Sequence, residues 1–384
     1  MQFSHIVGQE HLKQKLIQNV RDNRLAHATM LLGAEGTGGL AIAMALAQYL
    51  MCENKGETDS CGTCSQCVKN EKMIHPDLHF MYPNIKREPN DKIQASTTWI
   101  KEWRDTILSN PYINVIDWIN FLGKGDNKQG NITKGDCHET IKKLSLKTYE
   151  SPYKIQIIWL AEYLGLEGNT LLKLIEEPPK DCIFILVVEN IEQVINTIIS
   201  RTQIIKIPPI DDQEMKAHLI QKYEISEDNA KKIIRIADGS FSTALKLLDG
   251  DENTNDELTM MFLKCSFKKA YKQPDAAKLM DSMIATFATL GREKQKNFCK
   301  YALFYLRECL LLQQGGRTKL EGAELDYAKK TIAYIQPDQF EKIHLLINRL
   351  HYHIERNAAP KSQMMSTLLQ TSRILAGEYV LVDS

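Results

Sequence analysis

The chain lacks an excess of either charge: 48 lysines and arginines stand against 48 aspartates and glutamates. That excludes a global positive field of the kind that gathers nucleic acid, so any such contact must come from a local patch or from a partner. No apolar run approaches the roughly 18 residues that span a bilayer, and the amino terminus enters an amphipathic pattern without a charged and then apolar leader. The expectation is a soluble, cytoplasmic protein with no membrane association. Cysteine is scarce, nine in 384 residues, which is too sparse for a disulfide scaffold. Internal repeats and low-complexity tracts are also lacking. The length exceeds one ordinary core, and at roughly 100–200 residues per domain it calls for two or three.

What is present begins with hydrophobic patterning. Residues 9–21 carry Leu12, Leu16 and Val20 at helical spacing, and "HATMLL" then runs into the glycine-rich "LLGAEGTGGL" and the alanine-rich helix "AIAMALAQYLM". "KIQIIWLA" from Lys154 and "CIFILVV" from Cys182 are continuous apolar runs, as in central parallel strands covered on both faces. "NTLLKLIEEPP" between them predicts a helix stopped by Pro178 and Pro179, and a fourth strand, "TQIIKI", follows Arg201. The alternation predicts a doubly wound parallel α/β domain over residues 1–208. Residues 85–135 break the rhythm with "KREPND" and "GKGDNKQGN" around Trp99, Trp103, Tyr112 and Trp118, and predict an insertion of a helix and loops. After Pro208 and Pro209 the pattern is helical, with one short strand candidate, "YVLV", near residue 380. The polar "DGDENTNDE", Asp249 to Glu257, separates a small helical unit (209–250) from a larger helical domain (258–384).

Four motifs carry chemistry. In the first, Gly33 and Gly38 occupy the glycine positions of a G-x-x-x-x-G-K-[ST] phosphate loop, but Gly39 replaces the lysine and Leu40 the hydroxyl residue. The backbone could still cradle phosphate, yet nothing there neutralises charge or ligates magnesium; a plain glycine turn explains the stretch equally well. In the second, the strand "KIQIIWL" is followed by Ala161 and Glu162, so a metal-facing acid is missing, and Glu162 alone is also explained as an acid at a helix start. The third is Cys52, Cys61, Cys64 and Cys67, a C-x2-C-x2-C run completed by a cysteine from the preceding helix. Such a set suits a closed, structural zinc site, with a redox switch or free thiols as the alternatives; Gly62 suits the turn, and His75 in "HPDL" reads as a turn residue before Pro76. The fourth is Arg201 in "SRT", which by itself is either a solvated surface arginine or a group that reaches a neighbour's phosphate.

The ordered set "HIVGQEHLKQKL", "RLAHATMLLGAEGTGG", the cysteine cluster, "HPDL", "NTLLKLIEEPP" and "IISRTQIIKIPP" resembles the bacterial DNA polymerase III clamp-loader subunits of the AAA+ superfamily over residues 1 to about 250. The resemblance implies an AAA+ α/β domain with an inserted zinc module at about 52–67, a helical lid at 209–250 and an all-α collar at 258–384, through which subunits assemble. That family contains hydrolysing gamma or tau subunits and a non-hydrolysing delta-prime subunit. An ATPase member would have lysine and threonine or serine at Gly39 and Leu40, aspartate at Ala161 and a lid arginine at Ser242. The resemblance therefore implies a delta-prime-like subunit that neither hydrolyses nor binds ATP. Its S-R-C motif reads S-R-T here, and Arg201 would serve in trans as an arginine finger at a neighbouring ATP site. Implied partners are gamma/tau and delta subunits, with the sliding clamp and primer-template DNA reached through the complex. The alternatives are a gamma/tau-type ATPase and a zinc-containing DNA-binding module in which the tryptophan-rich insertion stacks on single strands.

Overall fold

A computed structural model describes residues 1–87, 95–123, 130–248, 254–267, 274–356 and 358–378. They fall into two compact units, one comprising Met1–Ala230 and Ala237–Thr243, the other Lys231–Ile236 and the residues from Ala244 onward.

The first unit is built on five parallel strands in the order β2-β3-β4-β1-β5. These are β1 (Ala28–Leu32), β2 (Leu78–Met81), β3 (Lys154–Trp159), β4 (Cys182–Val188) and β5 (Gln203–Lys206). Every residue of β3 and β4 is buried, which is why both runs are mostly apolar; the two polar side chains in β3, Lys154 and Gln156, donate to backbone carbonyls instead of meeting solvent. The edge strand β5 buries only Ile205. Helix α1 (Glu10–Arg21) precedes the sheet, and α2 (Gly39–Met51), buried at every position from Leu40 on, packs on β1, β3 and β4. The short α3 (Ser65–Glu71) then lies on α2.

The predicted single-helix insertion contains two helices, α4 (Ile100–Ser109) and α5 (Val115–Gly123), and a bridge between Asn84 and Asn131 closes its base. Most of its polar sequence, 88–94 and 124–129, lies outside the described residues. Its aromatic side chains make a core. Tyr82 stacks on Trp103 with centroids 3.9 Å apart, and Trp118 meets Trp103 edge-on at 5.2 Å. The indole N–H groups of Trp99 and Trp118 donate to the carbonyls of Ile85 and Pro83 at 2.7 and 2.8 Å, so burial leaves neither donor unsatisfied. Trp99, Trp103 and Trp118 are thus 8%, 0% and 0% exposed, and the base stacking considered above has no exposed indole to use. Helix α6 (Lys134–Leu144) leads back to β3; it is capped by Thr133, whose hydroxyl accepts from the Asp136 N–H.

Between β3 and β4 a tight 3-10 stretch, Ala161–Leu171, broken at Gly165 (φ 49, ψ −137), leads into the predicted helix, whose α-helical part is α7 (Leu172–Glu176), ending just before the two prolines. The short α8 (Asn196–Ile199) delivers Ser200 and Arg201 to the start of β5. Helices follow from there on: α9 (Asp212–Tyr223), α10 (Glu227–Ala237) and α11 (Phe241–Leu248). The second unit adds α12 (Thr254–Phe267), α13 (Pro274–Thr289), α14 (Arg292–Gln313), α15 (Gly322–Thr331), α16 (Pro337–Glu355) and α17 (Pro360–Leu375) around a core that includes Phe262, Phe287, Phe298, Tyr305 and Phe340. Among the described residues no strand follows β5; "YVLV" lies outside them.

A closed glycine-loop cradle, a cysteine cluster and an edge arginine

The glycine loop leaves the carboxyl end of β1 and enters α2 at Gly39, so the backbone geometry of an anion cradle is present. Gly36 and Gly38 have φ of 79° and 93°, in the left-handed region that favours glycine. Thr37 closes the turn, its N–H and hydroxyl both donating to the Ala34 carbonyl at 3.2 and 2.8 Å.

What surrounds the loop is unlike a phosphate site. At Gly39, where a working loop has lysine, a Cβ would lie 2.9 Å from Val187 Cγ1, so the glycine is packed against β4 rather than open to a ligand. Gly36 is met by the side chains of Ser240 and Ser242, and its carbonyl accepts from the Phe241 N–H at 2.9 Å. A small residue at 242 is what lets this segment lie so close. Tyr112, carried on the Asn110–Pro111 turn of the insertion, covers Gly38, with a Cβ there 3.1 Å from the ring; its hydroxyl accepts from the Val7 N–H at 3.0 Å. The cavity left between Gly33, Gly36, Gly39, Tyr112, Trp159 and Glu189 is about 20 Å³, space for about one water.

Carboxylates replace the missing cation. Glu162, at the end of β3, is 8% exposed, and its Oε1 accepts from the N–H groups of Glu189 and Asn190 at 3.0 and 3.2 Å, while Oε2 is buried without a partner. It is a brace between the ends of β3 and β4, not an ordinary acid at a helix start. Burial, reinforced by the charges of Glu35 and Glu162, pushes the Glu189 carboxyl up to about 8. Glu35, in the loop itself, accepts from the Asn114 amide at 3.1 Å. Tyr112 and Glu189 were not singled out as site residues from sequence. The only local signals were a turn-forming Asn-Pro before Tyr112 and an acid directly after the apolar run of β4.

The four predicted metal-ligating cysteines come together. Cys52 caps α2, Gly62 turns with φ 73°, Cys64 caps α3 and Cys67 lies in it. All four sulfurs lie within 4.8 Å of one another, and the Cys61 and Cys67 sulfurs are 3.9 Å apart. A tetrahedral zinc with bonds of about 2.3 Å requires sulfur separations of about 3.8 Å, so the set fits that ion. The N–H of Cys61 donates to the Cys52 sulfur and that of Cys64 to the Cys61 sulfur, each at 3.3 Å. Such bonds favour thiolate, and those from Cys64 and Thr63 hold the Cys61 thiol down at about 6, whereas burial pushes Cys52 and Cys67 up. His75 is no member of the cluster. It is buried, its Nε2 against the Gln66 carbonyl oxygen of the side chain and its Nδ1 accepting from the Asp77 N–H at 3.0 Å.

Arg201 stands at the amino end of β5. Its Nη1 donates to the Thr197 carbonyl at 2.9 Å and its Nη2 pairs with Glu176 at 3.3 Å, with the arginine side chain 30% and the glutamate 55% exposed. The register pairs Thr29 with Gln203 and Leu32 with Lys206. Arg201 and the glycine loop therefore lie at opposite ends of parallel strands, more than about 10 Å apart at 3.3 Å per residue. The arginine has no access to its own cradle.

A parallel sheet with a glycine loop at its switch from strand to helix, followed by a helical segment laid over that loop, defines a module of the AAA+ class. The chain belongs to the family described as DNA polymerase III, delta subunit, whose model matches residues 8–211. It is 25% identical to the DNA polymerase III subunit delta' of Bacillus subtilis over 245 residues, covering 64% of this chain and 60% of that protein. It is 28% identical to subunit gamma of Buchnera aphidicola subsp. Acyrthosiphon pisum over 253 residues, 64% of this chain and 58% of that one. With subunit tau of Bacillus subtilis the identity is 24% over 410 residues, 99% of this chain and 64% of that one. The chain thus spans about three fifths of the length of these relatives. Among the described residues no helix is long and apolar enough to cross a membrane.

Proposed function

We propose that this chain is a non-hydrolysing, delta-prime-like subunit of a DNA polymerase III clamp loader, which assembles with gamma/tau and delta subunits and acts on the ATP of a neighbour through Arg201. The reading rests above all on the closure of the glycine-loop cradle. Gly39 and Leu40 lack the lysine and hydroxyl, Ala161 lacks the metal-facing acid, Ser242 takes the place of the lid arginine, and Tyr112 and Glu189 fill the space where phosphate and magnesium would sit. An ATPase reading would have to rely on Glu162, which is already engaged by the Glu189 and Asn190 N–H groups, without the lysine, hydroxyl or metal-facing acid.

Arg201 supports the second half. Its pair with Glu176 is exposed, and such pairs are worth about 0–1 kcal/mol, so the guanidinium can leave it for a phosphate at little cost. It would supply positive charge to the transferring group, a contribution of about 10³–10⁵ in rate where arginine fingers operate. The cysteine cluster would hold a structural zinc, since four thiolates leave no open coordination position. Contact with the sliding clamp and primer-template DNA would come through the assembled loader.

The test is reconstitution with the gamma/tau and delta subunits. The chain alone should show no ATP turnover. Arg201→Ala should leave the complex assembled and lower its clamp- and DNA-stimulated ATPase several-fold, the sites not served by Arg201 accounting for what remains. Unchanged stimulated turnover would reject the finger role.

A further inference from the structure

The insertion between β2 and β3 has a role that the closed cradle suggests. Segment 110–114 is tied to the glycine loop from both sides. Tyr112, 6% exposed, receives the N–H of Val7, a residue 105 positions earlier in the chain, lies over Gly38 and meets the Phe241 ring edge-on at 4.9 Å. Asn114, 4% exposed, donates its amide to Glu35 in the loop. The turn between them is stiffened by Pro111 and by the Asn110 side-chain oxygen, which accepts from the Tyr112 N–H at 3.0 Å. One aromatic side chain thus touches the amino-terminal segment, the phosphate loop and the segment laid over that loop.

We propose that segment 110–114 is the resident ligand of the cradle: Tyr112 fills it as a planar aromatic ligand would, and holds Val7, Gly38 and Phe241 together in place of nucleotide. The inference rests on the reading above that the loop holds no nucleotide. It also assigns the site a preference. With Tyr112 removed, the exposed walls are aromatic and glycine backbone, but Glu189 still lines the phosphate end, with the charges of Glu35 and Glu162 close enough to act on it. The opened site therefore takes a neutral planar aromatic and rejects a phosphorylated one.

The experiment uses the full chain with its zinc. Tyr112→Ala should lower the melting temperature of the α/β unit by roughly 10 °C, as expected for a large side chain removed from a core. Millimolar p-cresol, the tyrosine side chain as a free molecule, should restore part of that loss, and adenosine should do so to a smaller extent, as small aromatics stabilise an engineered cavity that they fill. Neither should move the wild type, and magnesium-ADP should rescue nothing. A folded Tyr112→Ala protein that melts like the wild type, or that ignores both neutral aromatics, overturns the proposal; rescue by ADP overturns the stated preference. If the alanine variant does not fold, Tyr112→Phe decides. It keeps the ring and loses the acceptor, so the Val7 amide should exchange with deuterium at least several-fold faster, and unchanged exchange overturns the proposal. ADP binding by the wild type would instead reject the non-nucleotide reading, a failure separate from a wild type that binds no ADP beside a Tyr112→Ala protein indifferent to p-cresol.

Discussion

Asp77, the acid of "HPDL", shows how much of this molecule is decided by single carboxylates whose task the surrounding motif does not state. It is 1% exposed, and its two oxygens accept from the N–H groups of Tyr149, Glu150 and Ser151 at 2.7, 2.9 and 3.0 Å, fixing the loop that enters β3. Burial alone would raise its carboxyl, but those bonds outweigh burial and hold it below the ordinary range. A depressed folded pKa means stability that is present above the unfolded value near 4 and is lost as pH falls through the folded one. Asp77→Asn should therefore cost about 1.5–3 kcal/mol at pH 7, a deficit against wild type that narrows in melts below pH 4. Glu189 has the opposite sign. Its folded value of about 8 lies above the unfolded one, so the folded state keeps a proton that the unfolded chain gives up, and stability declines as pH rises from about 4.5 to 8. Glu189→Gln removes that decline: its melting temperature should exceed that of wild type by several degrees at pH 8.5, with a smaller gain at pH 5. The positions of these acids could be seen in the sequence but their roles could not, because each works by meeting backbone or charge from a distant segment.

At the scale of elements, legibility followed the strength of the pattern. β3 and β4 declare themselves because a strand covered on both faces is predominantly apolar on both. β2 was missed: "LHFM" is four residues long, its two central residues are only partly buried, and it directly follows a turn signal. The helix predicted over "NTLLKLIEEPP" is present as α7 and stops before Pro178, but the segment ahead of it runs as 3-10 turns, where Gly165 and Gly168 would weaken an α-helix by roughly 1 kcal/mol each. The cysteine cluster was legible because cysteine spacing is a local property. If it holds zinc as inferred, the wild-type chain should carry one equivalent by elemental analysis, and Cys64→Ser should lose most of it and lower the first melting transition by about 5 °C or more, as the α2–α3 connection loosens.

The whole molecule contains separate hydrophobic cores: one under the sheet, with Phe184, Leu186 and Ile158, and one among the helices of the second unit, with Phe298, Tyr305 and Phe340. Calorimetry should accordingly resolve more than one component. If the cysteine cluster holds zinc, chelation should shift the transition of the α/β unit to lower temperature and leave that of the helical unit in place; a uniform shift of the whole profile would argue against independent cores.

The packing of Gly39 against Val187 bears on the history open to this chain. A lysine introduced at 39 meets β4 before it reaches any phosphate, and behind it stand Tyr112, Glu189 and the serines pressed on Gly36. On the non-hydrolysing reading proposed above, the missing lysine works as a ratchet: neighbouring side chains occupy the space that a lysine would need, and a single substitution at 39 is opposed by packing.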